Sequence, residues 1–304
     1  MAAAKVSHIS TSQVTPEKVL EGVISAQDVV FSDSGYLGVA SFSRQAIVLT
    51  PDLELASVSK GFNIFTRASS YGSRLAFTNA DGTIHIFSTR KLDWKEIEVG
   101  EDYSYSLLLT HHGILAAGTA VGLFGRTGKR RWGYALPFSD GAVDGRISGK
   151  GDVAYLPVKD YEKVGKGAVV ILNIPTGAIL GTLEFPREVW STDVCGRYLA
   201  IGTDDNVYLY DISDPLIPRR LWQLLVNPKG HYYNALSVAF SPDCSYIAFA
   251  DTDHYKVHVV QRETGVPALE LELRSAPVSV AWHRDRLAIG TAGGDVYLLR
   301  LGGQ

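Results

Sequence analysis

Few residues in this sequence have the types and spacing that catalysis or metal binding requires. His111 and His112 could ligate a metal, but they are adjacent in a predicted turn, so their side chains are expected to point in different directions. Residues 251–254 (Asp-Thr-Asp-His) resemble the start of a calcium loop, yet the glycine and the final glutamate of such a loop are missing. Both stretches are interpreted as turns, and no metal site is predicted.

Motifs for nucleotide binding and hydrolysis are also missing from the sequence. It contains no glycine-rich phosphate loop ending in Lys-Ser/Thr, no His-Glu-x-x-His and no Gly-x-Ser-x-Gly. The short Gly165-Lys166-Gly167 run lacks the rest of a phosphate loop. The motifs therefore predict neither a catalytic residue nor a cofactor.

The clearest chemical signal is a set of aromatic residues in the predicted connections between strands. Tyr and Trp concentrate at interface hot spots because they bury a large rigid area and keep a polar tip. We interpret the set as partner-binding residues: Phe62, Tyr103, Tyr105, Tyr161, Trp190, His231, Tyr232, Tyr233 and Tyr255. The alternative is that several of them begin a strand and pack in the core.

These connections join repeated copies of one β-hairpin, two apolar runs around a glycine-containing turn. The hairpin recurs at residues 286–301, 198–212, 74–87 and 114–124, and more loosely at 36–49, 153–172 and 246–260. Successive copies are 38 to 48 residues apart, measured between the strands that start at 36, 74, 114, 153, 198, 246 and 286. Periods of about 40 with four strands each are typical of propeller blades.

The predicted fold is therefore all-β, a seven-bladed β-propeller of four-stranded antiparallel blades that spans residues 1–304 as a single domain. The blades are expected to start near residues 24, 64, 103, 141, 188, 234 and 277. The seventh blade lacks a fourth strand at its own end. We expect an N-terminal strand at about residues 6–13 to fill that place and close the ring, which removes exposed sheet edges.

The period and strand order resemble the WD40 and WD40-like seven-bladed propellers over essentially the whole chain. Tyr210-Asp211 stands where Trp-Asp often ends the third strand, and residues 241–243 (Ser-Pro-Asp) look like the family's turn between the first two strands. No Trp-Asp pair occurs. The Thr-Gly turns before the fourth strand, as in residues 126–134 (RTGKRRWGY), are also similar to quinoprotein-type propellers.

The resemblance implies a loop face that binds other proteins. We predict a non-enzymatic scaffold that docks a protein or peptide there, with Trp190, Tyr232 and Tyr233 as central anchors. The expected rim is Lys159, Asp160, Glu162 and Lys163. A scaffold of this kind predicts a central channel filled by water and small side chains.

The alternative is a propeller enzyme, either a metal-dependent lactonase-like hydrolase or a quinoprotein-like enzyme. It would need three or more acids or histidines that converge in the central channel around a metal or cofactor. The candidates near inner strands are Asp140, Asp144, Glu188 and Asp193.

Bulk composition narrows the partners and the location. The net charge of −3 creates no general attraction for nucleic acid or anionic membrane, and the one dense basic run, residues 129–131, is interpreted as solvated surface. Nucleic acid is therefore disfavoured as a partner.

No signal peptide is found and no apolar run approaches the roughly 20 residues that span a bilayer. The two cysteines lie in different repeats and suggest no disulfide framework, so a cytoplasmic protein is predicted. The residue usage hints at a thermophile.

Overall fold

A computed structural model of the chain describes residues 16–136, 141–160, 166–227 and 236–301. Their strands form seven antiparallel sheets, and each sheet is one blade of a propeller. One 3-10 turn, Glu101–Tyr103, interrupts the strands. No helix in the described part of the chain is long and apolar enough to cross a membrane. The predicted all-β, seven-bladed fold is confirmed.

The strands run outward from the channel in chain order within each blade, except in blade 7, whose outermost strand is the first strand of the chain. Blade 1 contains β2 (Ala26–Phe31), β3 (Leu37–Ser41), β4 (Gln45–Leu49) and β5 (Leu55–Lys60); blade 2 contains β6 (Phe65–Tyr71), β7 (Arg74–Asn79), β8 (Thr83–Ser88) and β9 (Asp93–Glu98); blade 3 contains β10 (Ser106–Leu109), β11 (Ile114–Ala117), β12 (Ala120–Phe124) and β13 (Arg130–Ala135). Blade 4 contains β14 (Gly141–Ala142), β15 (Ser148–Lys150), β16 (Val153–Asp160), β17 (Lys166–Asn173) and β18 (Ile179–Phe185); blade 5 contains β19 (Val189–Cys195), β20 (Tyr198–Thr203), β21 (Asn206–Asp211) and β22 (Arg219–Leu225). Blade 6 contains β23 (Ser237–Phe240), β24 (Tyr246–Asp251), β25 (Lys256–Gln261) and β26 (Pro267–Glu272); blade 7 contains β27 (Pro277–His283), β28 (Arg286–Thr291), β29 (Val296–Arg300) and β1 (Glu17–Leu20).

The N-terminal strand closes the last blade, as predicted, but the described closing strand is β1. It pairs antiparallel with β29, with Glu17 opposite Leu298 and Leu20 opposite Val296. The predicted stretch 6–13 lies outside the described residues. A polar sequence such as Glu-Lys-Val-Leu can serve here because an outermost strand buries only one face, and Val19 and Leu20 pack on the core between blades 7 and 1.

The core is divided among the spaces between blades, with one apolar cluster between each pair of neighbours. Successive side chains of a strand point to opposite faces of its sheet. In β28, Leu287 and Ile289 therefore pack against blade 6, whereas Ala288 packs against blade 1. The middle strands of each blade are covered on both faces, which explains their almost continuous apolar sequences.

Cys195 and Cys244 form a disulfide bond, so the sequence-based expectation of no disulfide is wrong. Cys195 ends the inner strand of blade 5, and Cys244 lies in the first turn of blade 6. Adjacent blades place these positions side by side, with their Cα atoms 5.7 Å apart. The bond therefore joins two neighbouring blades on the same face of the propeller.

Candidate functional site

The two faces of the propeller carry different connections. The upper face is formed by the connections from the outer strand of one blade to the inner strand of the next, and by the turns between second and third strands. The lower face carries the remaining turns, between first and second strands and between third and fourth strands. Inner strands therefore begin at the upper face and end at the lower face.

Three of the predicted partner-binding residues are exposed on the upper face. Phe62 connects blades 1 and 2 and is 85% exposed. Tyr105 connects blades 2 and 3, is 41% exposed, and lies against Gly118 in the next turn. Tyr255 is also exposed but belongs to the second-to-third-strand turn of blade 6, far around the ring.

Tyr103 and Trp190 are engaged in intramolecular contacts. The Tyr103 ring is buried, with an edge-to-face contact to Phe124 at a centroid distance of 5.1 Å. Trp190 is partly buried, and its indole N–H donates to Asp204 Oδ1 at 2.5 Å. Burial raises the pKa of Asp204 to about 6, although this hydrogen bond acts in the opposite direction. We expect both aromatic rings to contribute to stability.

The remaining aromatic candidates, Tyr161, His231, Tyr232 and Tyr233, lie outside the described residues, as do Glu162 and Lys163 of the predicted rim. Lys159 was expected on that rim, and this expectation is wrong because the residue is buried. Its ammonium group lies 3.3 Å from the centre of the Trp190 ring. Burial lowers the pKa of Lys159, and the nearby Asp144 partly offsets that effect.

Sequence reasoning missed one exposed apolar residue of the upper face. Ile24, 66% exposed, lies in the connection between the closing strand β1 and the first strand of blade 1. Ile24, Phe62 and Tyr105 thus occupy three successive connections around the ring, and we call these three residues the apolar arc. The sequence did contain a signal for this residue, because an isoleucine in a connection between strands has no sheet face to pack against.

The central channel is crossed by the side chain of Arg146, which contradicts the expectation of water and small side chains. Arg146 extends from blade 4 to blades 1 and 7. It forms an ion pair with the buried carboxylate of Asp28, and its guanidinium donates to the carbonyls of Val29 at 2.7 Å and Val280 at 2.5 Å. Arg146 lines both an upper channel space of about 60 Å³ and a lower one of about 240 Å³.

A second ion-paired group lies at the upper end of the channel. Asp144 accepts hydrogen bonds from Arg67 at 3.3 Å and from Lys159 at 3.1 Å. Arg67 belongs to blade 2, whereas Lys159 lies in β16 of blade 4, the blade that also contains Asp144. The upper channel is therefore held by charge-assisted hydrogen bonds between strands.

The acids proposed for an enzyme do not assemble into one site. Asp144 is neutralised by Arg67 and Lys159, and Asp193 lies lower in the channel, where it accepts the backbone N–H groups of Val194 and Phe240. Asp140 lies outside the described residues. Among the residues that the structure describes, no three acids or histidines converge in the channel. The described residues of the channel therefore do not supply the ligand set that the enzyme alternative requires.

Asp193 predicts a measurable pH dependence of stability. Desolvation raises its pKa to about 6, above the value of about 3.9 expected in the unfolded chain. Between these two pKa values the folded state keeps a proton on Asp193 that the unfolded chain has released. The protonated Asp193 carboxyl therefore contributes to the free energy of unfolding below about pH 4, and this contribution is lost as the pH rises through about 6.

We expect the stability of Asp193→Asn relative to wild type to increase as the pH rises from about 4 to about 6, since the variant has no carboxyl to ionise. Chemical denaturation at a series of pH values measures this difference. Asp204 titrates in the same range in both proteins and cancels from the comparison. A difference that stays flat across this range would contradict the assignment.

His111 and His112 converge instead of pointing apart, so the predicted orientation is wrong. Their Nε2 atoms lie 3.7 and 2.6 Å from Oδ1 of Asp152, which belongs to the corresponding turn of blade 4. The three ligand atoms lie within 4.8 Å of one another. Arg126 and residues 129–131 line the same depression, and their positive charges disfavour a metal cation there.

No protein-family model matches the sequence, and no curated protein matches it. Among solved structures, the fold is similar to the β-propeller domain of Cps50 (Swd1) from Myceliophteria thermophila. The TM-score is 0.75 at 16% identity, over 95% of this chain and 99% of that chain. The chain thus has the fold of a seven-bladed propeller similar to this domain. In all, 1611 solved chains match it, so the fold alone does not select a function.

Proposed function

We propose that this propeller is a non-enzymatic scaffold that docks a protein or peptide on its upper face. The observation that carries the proposal is the apolar arc, Ile24, Phe62 and Tyr105 on three successive connections. Single exposed apolar residues are ordinary on protein surfaces, whereas neighbouring ones rimmed by polar groups mark interaction sites.

The size of these side chains suits them to be anchors. An aromatic side chain can bury about 150–250 Å² in a complex, and full burial of a large apolar side chain contributes roughly 1.5–3 kcal/mol. Phe62 is almost fully exposed, so nearly all of that area is available to a partner. A handful of such anchors dominates the binding energy of a typical protein interface.

The charges beside the arc indicate the chemistry of the partner. Glu21 lies in the connection of Ile24, Glu101 and Asp102 lie in that of Tyr105, and all three acids are exposed; the connection of Phe62 has no acid and follows Lys60. Complementary charges steer association and select partners. We expect the docked segment to present apolar side chains with basic residues next to them.

The channel supports a scaffold function because its buried charges are already paired. Asp28 with Arg146, and Asp144 with Arg67 and Lys159, link blades 1, 2 and 4 across the axis. Groups held in this way fix the relative positions of the blades and present the upper connections on a rigid support. Rigid support lowers the entropic cost of binding.

Affinity capture with matched variants tests the proposal. Ile24→Ala/Phe62→Ala should weaken partner capture at least about 30-fold, the equivalent of about 2 kcal/mol, without lowering the melting temperature. The matched control is Leu216→Ala/Ile217→Ala, which removes two exposed apolar side chains from the lower face. Equal capture by the two variants would contradict docking on the arc.

We also propose that the protein is cytoplasmic. The disulfide between Cys195 and Cys244 is unusual for that location in mesophiles, but intracellular proteins of hyperthermophiles are rich in disulfides. Cell fractionation checks the location, and recovery of the protein from a secreted or membrane fraction would contradict it.

A further inference from the structure

Seven Lys and Arg side chains line two adjoining depressions on the lower face, at blades 2 and 3. One depression, of about 290 Å³, lies at the seam between the blades, and the other, of about 730 Å³, lies on blade 3. They share Gly113 and Arg126. We call them together the cationic groove, and its seven cations are Arg74, Lys91, Lys95, Arg126, Lys129, Arg130 and Arg131.

The seven cations outnumber the acids of the groove, since Asp93 is the one carboxylate among its described lining residues. None of the seven lies within 4.0 Å of a carboxylate among the described residues. Lys95 donates to the carbonyl of Arg126, and Arg130 donates to the hydroxyl of Tyr103, both neutral oxygens. By contrast, Arg67, Arg146 and Lys159 in the channel are all paired with acids. An unpaired cluster of this size in a chain of net charge −3 is a local site for an anion.

The seam depression also has an apolar and aromatic lining. Ile86, Leu109 and Ile114 contribute to its wall, and Tyr71, 47% exposed, lies at the same depression. Apolar and aromatic surface beside phosphate-binding cations suits a ligand that has flat, weakly polar groups along an anionic backbone.

We propose that the cationic groove binds single-stranded nucleic acid. The Lys and Arg side chains contact successive phosphates, and Tyr71 stacks on an unpaired base. Sequence reasoning disfavoured nucleic acid because residues 129–131 are an isolated basic run in the chain. In the folded protein the run is not isolated, because Arg74, Lys91 and Lys95 of blade 2 line the depression that adjoins residues 129–131.

The shape of the groove favours a single strand over other polyanions. Its apolar lining residues Ile86, Leu109 and Ile114 are half-buried or buried and therefore cannot insert into lipid, and its cations are spread over two depressions on two blades, which suits a flexible strand. In a duplex the bases are stacked on one another, and their faces are not available to Tyr71.

Fluorescence anisotropy with a labelled 12-nucleotide oligo(dT) and oligo(U) tests this proposal. We expect binding at 50 mM salt that weakens about 50-fold at 200 mM salt, the dependence for about four phosphate contacts on a single strand. Lys129→Glu/Arg131→Glu should weaken binding at least 10-fold. Tyr71→Ala should weaken it about 10-fold at constant salt dependence, because stacking releases no counterions.

A charge-matched control separates the groove from general electrostatics. Arg219→Glu/Arg220→Glu makes the same charge change on the outer strand of blade 5 and should leave binding within about twofold of wild type. Lys129, Arg131 and Tyr71 are exposed, and the two cations have no ion pair with a described residue, so the groove variants should melt at the wild-type temperature. No binding at 50 mM salt, or equal losses in groove and control variants, would overturn the proposal. So would equal competition by a duplex of the same length, or capture of phosphatidylserine vesicles in place of oligonucleotide.

Discussion

Replacement of Arg146 by Met is expected to lower the free energy of unfolding by about 3–5 kcal/mol. The substitution leaves the Asp28 carboxylate buried without its cation and removes donors from the carbonyls of Val29 and Val280. A buried charge without a partner is the costly state, because water no longer solvates it. Chemical denaturation followed by tryptophan fluorescence measures the loss.

Two further variants make the Arg146 result specific. Asp28→Asn in the Arg146→Met background should recover more than half of the loss, because the unpaired charge is then absent. Arg197→Met breaks a surface pair with Asp211 and should cost less than about 1 kcal/mol. A loss at Arg146 no larger than that at Arg197 would show that the channel ion pair does not hold the blades together.

Replacement of Gly294 by Ala is expected to cost about 3 kcal/mol or more, because it disturbs the closure of the ring. A Cβ atom at this position would lie 1.7 Å from the carbonyl oxygen of Val23, in the segment that follows the closing strand. The backbone of Gly294 also has φ of +87°, which adds about 1–2 kcal/mol for a residue with a side chain. Such a clash in a packed site is relieved only by moving the segment.

Gly22→Ala is the matched control for Gly294→Ala. Gly22 is one residue from Val23 and has φ of +83°, but no atom lies within 4 Å of its added Cβ. It should therefore cost only the backbone contribution, about 1–2 kcal/mol. Thermal melting of both variants measures the difference, and equal melting temperatures would contradict the role of Gly294 in closure.

The fold could be predicted because the same short hairpin pattern recurs in the sequence of every blade. Each hairpin has two apolar runs and a glycine turn, and the runs are apolar because neighbouring blades cover both faces. The position of the closing strand could not be found in the same way. β1 is a single outer strand with a polar sequence, and its partner β29 is nearly 280 residues away.

The disulfide could have been predicted from the repeat. Cys195 and Cys244 are 49 residues apart, and the second strands of blades 5 and 6 begin at Tyr198 and Tyr246, a spacing of 48. The cysteines are therefore at nearly equivalent positions of adjacent blades. Equivalent positions of adjacent blades lie side by side in a propeller.

The candidate site was only partly accessible from the sequence. Phe62 and Tyr103 are both aromatic residues in connections, yet one is exposed and the other buried. Room for the Tyr103 side chain comes from Gly122 and Gly133, where added Cβ atoms would lie 3.0 Å from its ring and from its hydroxyl oxygen, respectively. Glycines inside two neighbouring strands could have indicated that a large side chain packs there. The pairing of Arg146 with Asp28 joins residues 118 positions apart and follows no repeated pattern.

The most direct test of docking on the upper face is hydrogen–deuterium exchange of the protein alone and with its captured partner. Binding on the apolar arc predicts slower exchange in the connections that carry Ile24, Phe62 and Tyr105, and unchanged exchange in the lower-face loop that carries Leu216 and Ile217. Protection confined to the lower face, with the three arc connections unchanged, would contradict the proposed function.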